Sequence, residues 1–292
     1  MNLLDSNEVS FNAIHLERGL DKTRVQLIFE IIEGLKIIIE EDKAQKQPLF
    51  LSMNDQFLLK LVKGIVGSPK NTYLIGITGE SASGKTTLVQ NAAKAFVREH
   101  QEELFTTICC DDYYLDKSSE LRIAGSYENL FKTGFSFDTP NAINLELMKA
   151  HLVSLKHSCG IYAPEYNFVT CESLPGTVLK KPSKIVLNEG LYVLNKNVID
   201  VHDIKVYVFT PFNIIKDRWY ARAEQRGKIG PAADMQFSDV NSTAQVYIRP
   251  TMQQADIVVN GLSSSEYIEE ITGKIISLVN NVVSNNSKKV SV

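Results

Sequence analysis

Hydrophobic and polar positions follow two rhythms along this chain. In the first 68 residues the spacing is helical. Ile28, Ile31, Ile32, Leu35, Ile38 and Ile39 form one apolar stripe, with Arg24, Glu30, Glu33, Lys36 and Glu40 on the other side. Leu58, Leu61, Val62, Ile65 and Val66 make a second stripe, which Gly67-Ser68-Pro69 ends. From Tyr73 onward, short β-branched and apolar runs at 73–78, 106–110, 184–188, 204–209 and 256–259 read as strands. Helical segments fall between several of them, near 85–98, 141–156 and 212–226. Such alternation predicts an α/β fold, with a mainly parallel sheet covered by helices on both faces. Ligands then bind at the carboxyl ends of the strands. The expected division is an N-terminal helical extension, 1–68, and a sheet domain, 69–292. The extension is expected either to pack on the sheet domain or to offer a dimerisation surface, so a homo-oligomer is among the expected partners. Ser264–Val283 reads as a closing helix, and the polar run 285–292 as a frayed tail.

Composition narrows this picture. The chain has 292 residues, 44% of them hydrophobic, and a net charge of −3. That balance speaks against a general nucleic-acid binder and for a small-molecule partner. Cys109, Cys110, Cys159 and Cys171 lack C-x-x-C spacing, and the first two fall within an apolar run, which points to reduced thiols rather than a disulfide or zinc framework. A basic stretch followed by an apolar core is missing at the N-terminus, and no uncharged apolar run reaches 18 residues. A cytoplasmic protein without membrane spans is expected.

The chemistry begins at Gly79-Glu80-Ser81-Ala82-Ser83-Gly84-Lys85-Thr86, which fits the phosphate-binding pattern G-x-x-x-x-G-K-[ST] at every fixed position. An apolar strand precedes it and a helix-prone run from Thr87 follows, as the motif requires. The glycines let successive N–H groups turn inward, and the new helix presents its positive end to an anion. Lys85 can reach β- and γ-phosphate oxygens, and the Thr86 hydroxyl can ligate Mg²⁺. These residues, 79–87, are the expected ATP site of a P-loop NTPase-type sheet.

Three other clusters carry functional groups. Asp111 and Asp112 follow the second strand of the sheet domain, where a carboxylate could accept the proton of an attacking hydroxyl. Glu189 ends the apolar run 184–188 and reads as an acid that orders Mg²⁺. Arg218, Arg222 and Arg226 share one helical face, before Gly227, Gly230 and Pro231, which are expected to end the helix in a mobile loop. Guanidinium groups on a closing element can neutralise a transferring phosphoryl group.

Five segments in order now carry a resemblance: the P-loop with Asp111-Asp-Tyr-Tyr114, Phe137-Asp-Thr-Pro-Asn-Ala142, Pro164-Glu-Tyr-Asn-Phe-Val-Thr170, Leu187-Asn-Glu-Gly190, and Arg249-Pro-Thr-Met-Gln-Gln-Ala-Asp-Ile-Val-Val259. Together, over roughly 73–262, they resemble the uridine kinase/phosphoribulokinase family, closer to its uridine kinase branch. The resemblance implies an ATP- and Mg²⁺-dependent kinase acting on a hydroxyl, with the 5′-hydroxyl of uridine or cytidine as the leading acceptor. It implies that Asp111 is the general base and Arg218 a lid arginine; Lys85, from the P-loop, and Arg222, one place from the family's next lid position, are expected to act on the phosphates with it. It places Asp138 on sugar hydroxyls, Tyr166 and Phe168 beside the base, Tyr114 and Cys171 with the acceptor, and Glu189 with Thr86 at Mg²⁺. The chain departs from the family at Cys171, where uridine kinases carry a histidine, and at Ala221, where a lid arginine is expected. The stretch 230–242 has glycine, proline and small residues where the family has a longer helix. A phosphoribulokinase-like or other metabolite kinase stays open as an alternative, as does a nucleotide-responsive binding protein without kinase activity.

Overall fold

The computed structural model describes residues 22–66, 72–100 and 105–290. Its strands are β1 (Phe50–Met53), β2 (Tyr73–Thr78), β3 (Phe105–Cys109), β4 (Ile161–Asn167), β5 (Glu172–Lys180), β6 (Ile185–Glu189), β7 (Ile204–Phe209) and β8 (Ile257–Asn260). The helices are α1 (Lys22–Lys43), α2 (Phe57–Val66), α3 (Lys85–His100), α4 (Ser118–Ala124), α5 (Tyr127–Lys132), α6 (Leu145–Lys156), α7 (Phe212–Gln225), α8 (Gly230–Tyr247) and α9 (Ser265–Val290).

Six strands form one sheet in the order β1-β8-β7-β2-β6-β3, parallel throughout except for β1, which pairs antiparallel with β8. Period-two alternation sends each strand's side chains to two cores. On one face Leu74, Val186, Ile108 and Tyr207 pack with Met148, Leu152 and Leu155 of α6. On the other, Ile77, Leu187, Val206, Val208 and Val259 pack with Val89 of α3, Phe57 of α2, Ile38 of α1, and Ile268 and Ile271 of α9. The neighbouring parallel strands β2 and β6 deliver their carboxyl ends to the same side of the sheet. Strands β4 and β5 form a separate hairpin.

Several expectations need correction. The N-terminal segment is not helical throughout: β1 extends the main sheet, and α1 packs Val25, Ile28, Ile31, Ile32 and Leu35 against α2 and α9. Asp42 secures this join. Its fully buried carboxylate accepts from the Leu49 and Phe50 amides at 2.7 and 2.8 Å and from the Tyr267 hydroxyl at 2.7 Å. The break expected at Gly67-Ser68-Pro69, and the side chains of Arg24, Ile65 and Val66, lie outside the described residues. The stretch 230–242 belongs to an 18-residue helix, α8, in which Pro231 sits in the first turn and its missing N–H costs nothing. Only the short span after Gln225 separates it from α7. The closing helix also runs further than expected, to Val290. Cys110 leaves its strand and opens a 3-10 turn, Cys110–Tyr113.

Candidate active site

The loop after β2 curls into α3. Its backbone is left-handed at Gly84 (φ +100°) and Ala82 (φ +66°). A Cβ at Gly79 would lie 2.5 Å from the Val208 carbonyl oxygen and 2.7 Å from Ser83 Oγ, so no side chain fits there. Thr210 Oγ1 braces the loop by donating to the Ser83 carbonyl at 2.8 Å. Lys85, the first residue of α3, is buried and folds back to donate to the carbonyls of Gly79 (2.9 Å) and Glu80 (3.0 Å). Burial pulls its ammonium below the usual lysine range, while Glu189 and Asp111 push it back up.

Glu189 closes β6 next to this loop. Its Oε1 is 3.4 Å from the Thr86 hydroxyl and 3.7 Å from the Cys109 thiol. Burial lifts its carboxyl above the usual range, against the pull of Lys85. A hydroxyl and a carboxylate are hard oxygen donors of the kind Mg²⁺ prefers. Among the described residues no group of three or more His, Cys, Asp or Glu is placed to hold a metal ion. A cation held by Thr86 and Glu189 would therefore complete its shell with phosphate and water oxygens.

The 3-10 turn at the tip of β3 separates the two adjacent acids. Asp111 belongs to the loop and the basic helix: burial raises its carboxyl, and Lys85, Arg222 and Arg226 lower it. Asp112 belongs to the hairpin side: burial pushes it up to about 6, Lys180 opposes, and Asp111 and Glu165 add to the rise. Gly190 makes this turn possible, since a Cβ there would lie only 2.2 Å from Cys110 Cβ.

Helix α7 lies over the loop. Arg218 Nη1 donates to the Gly261 carbonyl at 3.0 Å, and Arg222 Nη2 donates to Ser81 Oγ at 2.5 Å. The i, i+4 spacing of these residues thus aims two guanidinium groups at the loop and its neighbour.

Beyond Asp111 lies a second group of side chains. Asp138 follows Phe137 there; burial, with Asp239 and Asp111 nearby, pushes its carboxyl up to about 6 against Lys228 and Arg222. The rings of Tyr114, Tyr166 and Phe168 gather at 5.0–5.6 Å from one another. Tyr166 and Phe168 meet edge to face at 78°, so the two rings expected on either side of a base touch each other directly. Cys171 has no exposed surface. It adopts a left-handed turn (φ +53°), with its thiol 3.3 Å from the Tyr127 hydroxyl, which in turn bonds the Phe168 carbonyl.

Other residues of this group escaped the sequence reading. Ser136 Oγ donates to Asp239 Oδ2 at 2.6 Å and accepts from the Asp138 amide at 3.1 Å. Lys228 lies 5.8 Å from the Tyr127 ring centre. Asp239 sits on α8, the helix that the sequence pattern did not predict, so no signal pointed to it. Phe137 was visible within its motif, and its ring packs on Tyr114 at 5.8 Å.

A phosphate-binding loop between a parallel strand and a helix, faced by acids on two neighbouring strand tips and overlain by a basic helix, defines a P-loop phosphotransferase. Comparison with known proteins narrows the class. Residues 74–267 match the Phosphoribulokinase / Uridine kinase family, and the chain belongs to it. Relatives include the uridine kinase of Clostridium tetani, 32% identical over 214 residues, with 72% of this chain and 97% of that protein covered. The uridine kinase of Staphylococcus carnosus is 29% identical, with 72% and 98% covered. Among solved structures, a proposed fructose transport system kinase from Silicibacter sp. TM1040 shares the fold at a TM-score of 0.51 and 17% identity, covering 68% of this chain and 95% of that one. The chain is accordingly an ATP-using kinase with an alcohol group as acceptor. No helix among the described residues is long and apolar enough to cross a membrane.

Proposed function

We propose that this kinase transfers the γ-phosphate of ATP to the 5′-hydroxyl of a pyrimidine nucleoside, uridine or cytidine. One observation carries the reading: Asp111 stands at a strand tip between the buried Lys85 of the phosphate loop and a group of side chains that includes Asp138 and an aromatic cluster. The names of the relatives support the nucleoside.

In this reading, residues 79–87 hold the triphosphate, with loop amides and Lys85 on its oxygens. Asp111 accepts the proton of the 5′-hydroxyl as that oxygen attacks the γ-phosphorus and the bond to the ADP oxygen breaks. Its raised affinity for protons suits a base better than an ordinary aspartate would. Arg218 and Arg222 offset charge on the transferring group. Asp138 accepts hydrogen bonds from the sugar hydroxyls, and Tyr114, Tyr166 and Phe168 offer the base an aromatic wall. Thr86 and Glu189 would hold Mg²⁺, which neutralises phosphate charge when bound. With Cys171 turned inward, base readout rests on contact more than on hydrogen bonding, so selectivity among nucleosides is modest. The free cysteines fit a reducing cytoplasm.

The test is ADP release measured over a panel of nucleosides, pentose phosphates and glycerate. Turnover that is fastest with uridine or cytidine is expected. Turnover confined to a sugar phosphate or another metabolite would replace the nucleoside. Full ATP binding with no acceptor turned over would reject the reading.

A further inference from the structure

The phosphate-binding loop contains a carboxylate of its own. Glu80 is its second residue, and its main-chain oxygen accepts from Lys85 Nζ at 3.0 Å. A free acid here adds negative charge to a cradle that must receive a polyanion. Like charges repel strongly where little water screens them. The carboxylate is instead taken up by Arg249, whose Nη2 lies 2.9 Å from Glu80 Oε2. The Glu80 side chain is only 13% exposed and that of Arg249 34%, so water screens the pair incompletely.

The same guanidinium makes two further contacts. It donates to Asn241 Oδ1 on α8 at 2.6 Å, and it lies 5.5 Å from the ring centre of Phe212, the first residue of α7. One side chain therefore joins the phosphate loop to both helices that overlie it. Arg249 sits just past α8, in a 3-10 turn that Pro250 helps to fix.

Resting on the kinase reading above, we propose that Arg249 is a positioning residue that neutralises Glu80, keeps it away from Lys85 and so holds the phosphate loop receptive to a nucleoside triphosphate. The role depends on charge, which separates it from simple bracing. If Arg249 only braced the fold, removing the acid that it holds would not repair its loss. If it neutralises Glu80, removing that acid repairs it.

The experiment uses the full chain and four variants: Arg249→Met, Glu80→Gln, the double variant and Arg249→Lys. Equilibrium binding of a fluorescent ATP analogue is read beside the KM for ATP and the thermal midpoint. Arg249→Met should weaken binding and raise KM about tenfold, the scale for leaving a partly buried charge unpaired and screened by some water. Its kcat should change less. Arg249→Lys should stay within about threefold of the parent, and the double variant should match Glu80→Gln within about threefold instead of carrying the tenfold loss of Arg249→Met. A double variant as weak as Arg249→Met, or an Arg249→Met that binds like the parent, overturns the proposal. Should Arg249→Met not fold, Arg249→Lys decides, because a tenfold loss in that charge-preserving variant is incompatible with neutralisation. Analogue binding needs no acceptor. The expected binding pattern without nucleoside turnover would therefore reject the nucleoside reading and leave Arg249 in its role.

Discussion

Gly190→Ala perturbs the geometry of the site without touching a polar group. Gly190 follows Glu189 and faces the turn that carries Asp111. Its amide donates to the Ile77 carbonyl at 3.1 Å, which fixes it against the P-loop strand. An added Cβ would lie 2.2 Å from Cys110 Cβ and 3.3 Å from Cys110 Cα, at a φ of +151° that L residues rarely adopt. Ordinary contact begins near 3.4 Å, so the tip of β3 must retreat by about 1 Å, a displacement that can cost on the order of a hundredfold in rate. Overpacking of this kind costs about 1–3 kcal/mol of stability, and the backbone conformation adds to it. The clash falls on Cys110 and not on the phosphate loop, so ATP binding should change little. The assay is steady-state ADP release with urea unfolding in parallel. A Gly190→Ala/Cys110→Gly double variant removes the atom at 2.2 Å and should regain most of the lost kcat, although its stability stays low. A Gly190→Ala enzyme within about threefold of the parent kcat, or a double variant no faster than the single, would refute the argument that this glycine sets the distance between the two acids.

Three further outcomes follow from the same geometry. Asp111→Asn should lower kcat by about 10²-fold or more with KM for ATP nearly unchanged, because the amide keeps the shape and cannot take the proton; a mild Asp111→Asn beside a damaging Asp112→Asn would move the base to Asp112. Asp112 should make stability depend on pH. Burial holds its carboxyl at about 6, above its ordinary value of 3.8, so the folded chain keeps a proton that the unfolded chain has lost. Its stabilising contribution is complete below about pH 4 and is lost as pH rises through 6, and Asp112→Asn should flatten the thermal midpoint across that window. An unchanged slope would show that other groups set it. Asp42→Ala strands two main-chain amides and a phenol that its carboxylate satisfies. The expected loss is about 2–5 kcal/mol by chemical denaturation, and a loss below about 1 kcal/mol would mean that water replaces the carboxylate.

Local signals made much of this protein legible. The P-loop is a contiguous pattern whose glycines and helix start are dictated by backbone sterics, so its place was fixed by eight residues. Asp111 and Glu189 were legible because each ends a β-branched apolar run, and in a parallel sheet such ends converge on one side. The five parallel strands followed from the same runs, two with the expected ends and three shifted by one residue.

What stayed hidden depends on partners distant in sequence. Residues 50–53 carry no strong strand signal, and β1 forms because β8 offers it a free edge and Asp42 caps its entry. Helix α8 opens with glycine and proline and its apolar stripe is thin, yet Ala233, Phe237, Val240 and Ala244, at i, i+4, i+7 and i+11, are buried, three of them beside Trp219 of α7. Tertiary packing there outweighs weak local preference. The sequence likewise named Tyr166, Phe168 and Cys171 by order in a motif, but only the fold of the hairpin decided that the rings meet edge to face and the thiol turns inward. Glu80 and Arg249 are 169 positions apart. Residue types and short-range spacing therefore settled the chemistry of the phosphate end, because that chemistry is built from consecutive backbone groups. The aromatic cluster beside Asp138 and the pairing of Arg249 with Glu80 were decided by the tertiary structure alone, because their geometry comes from side chains that only long-range packing brings together.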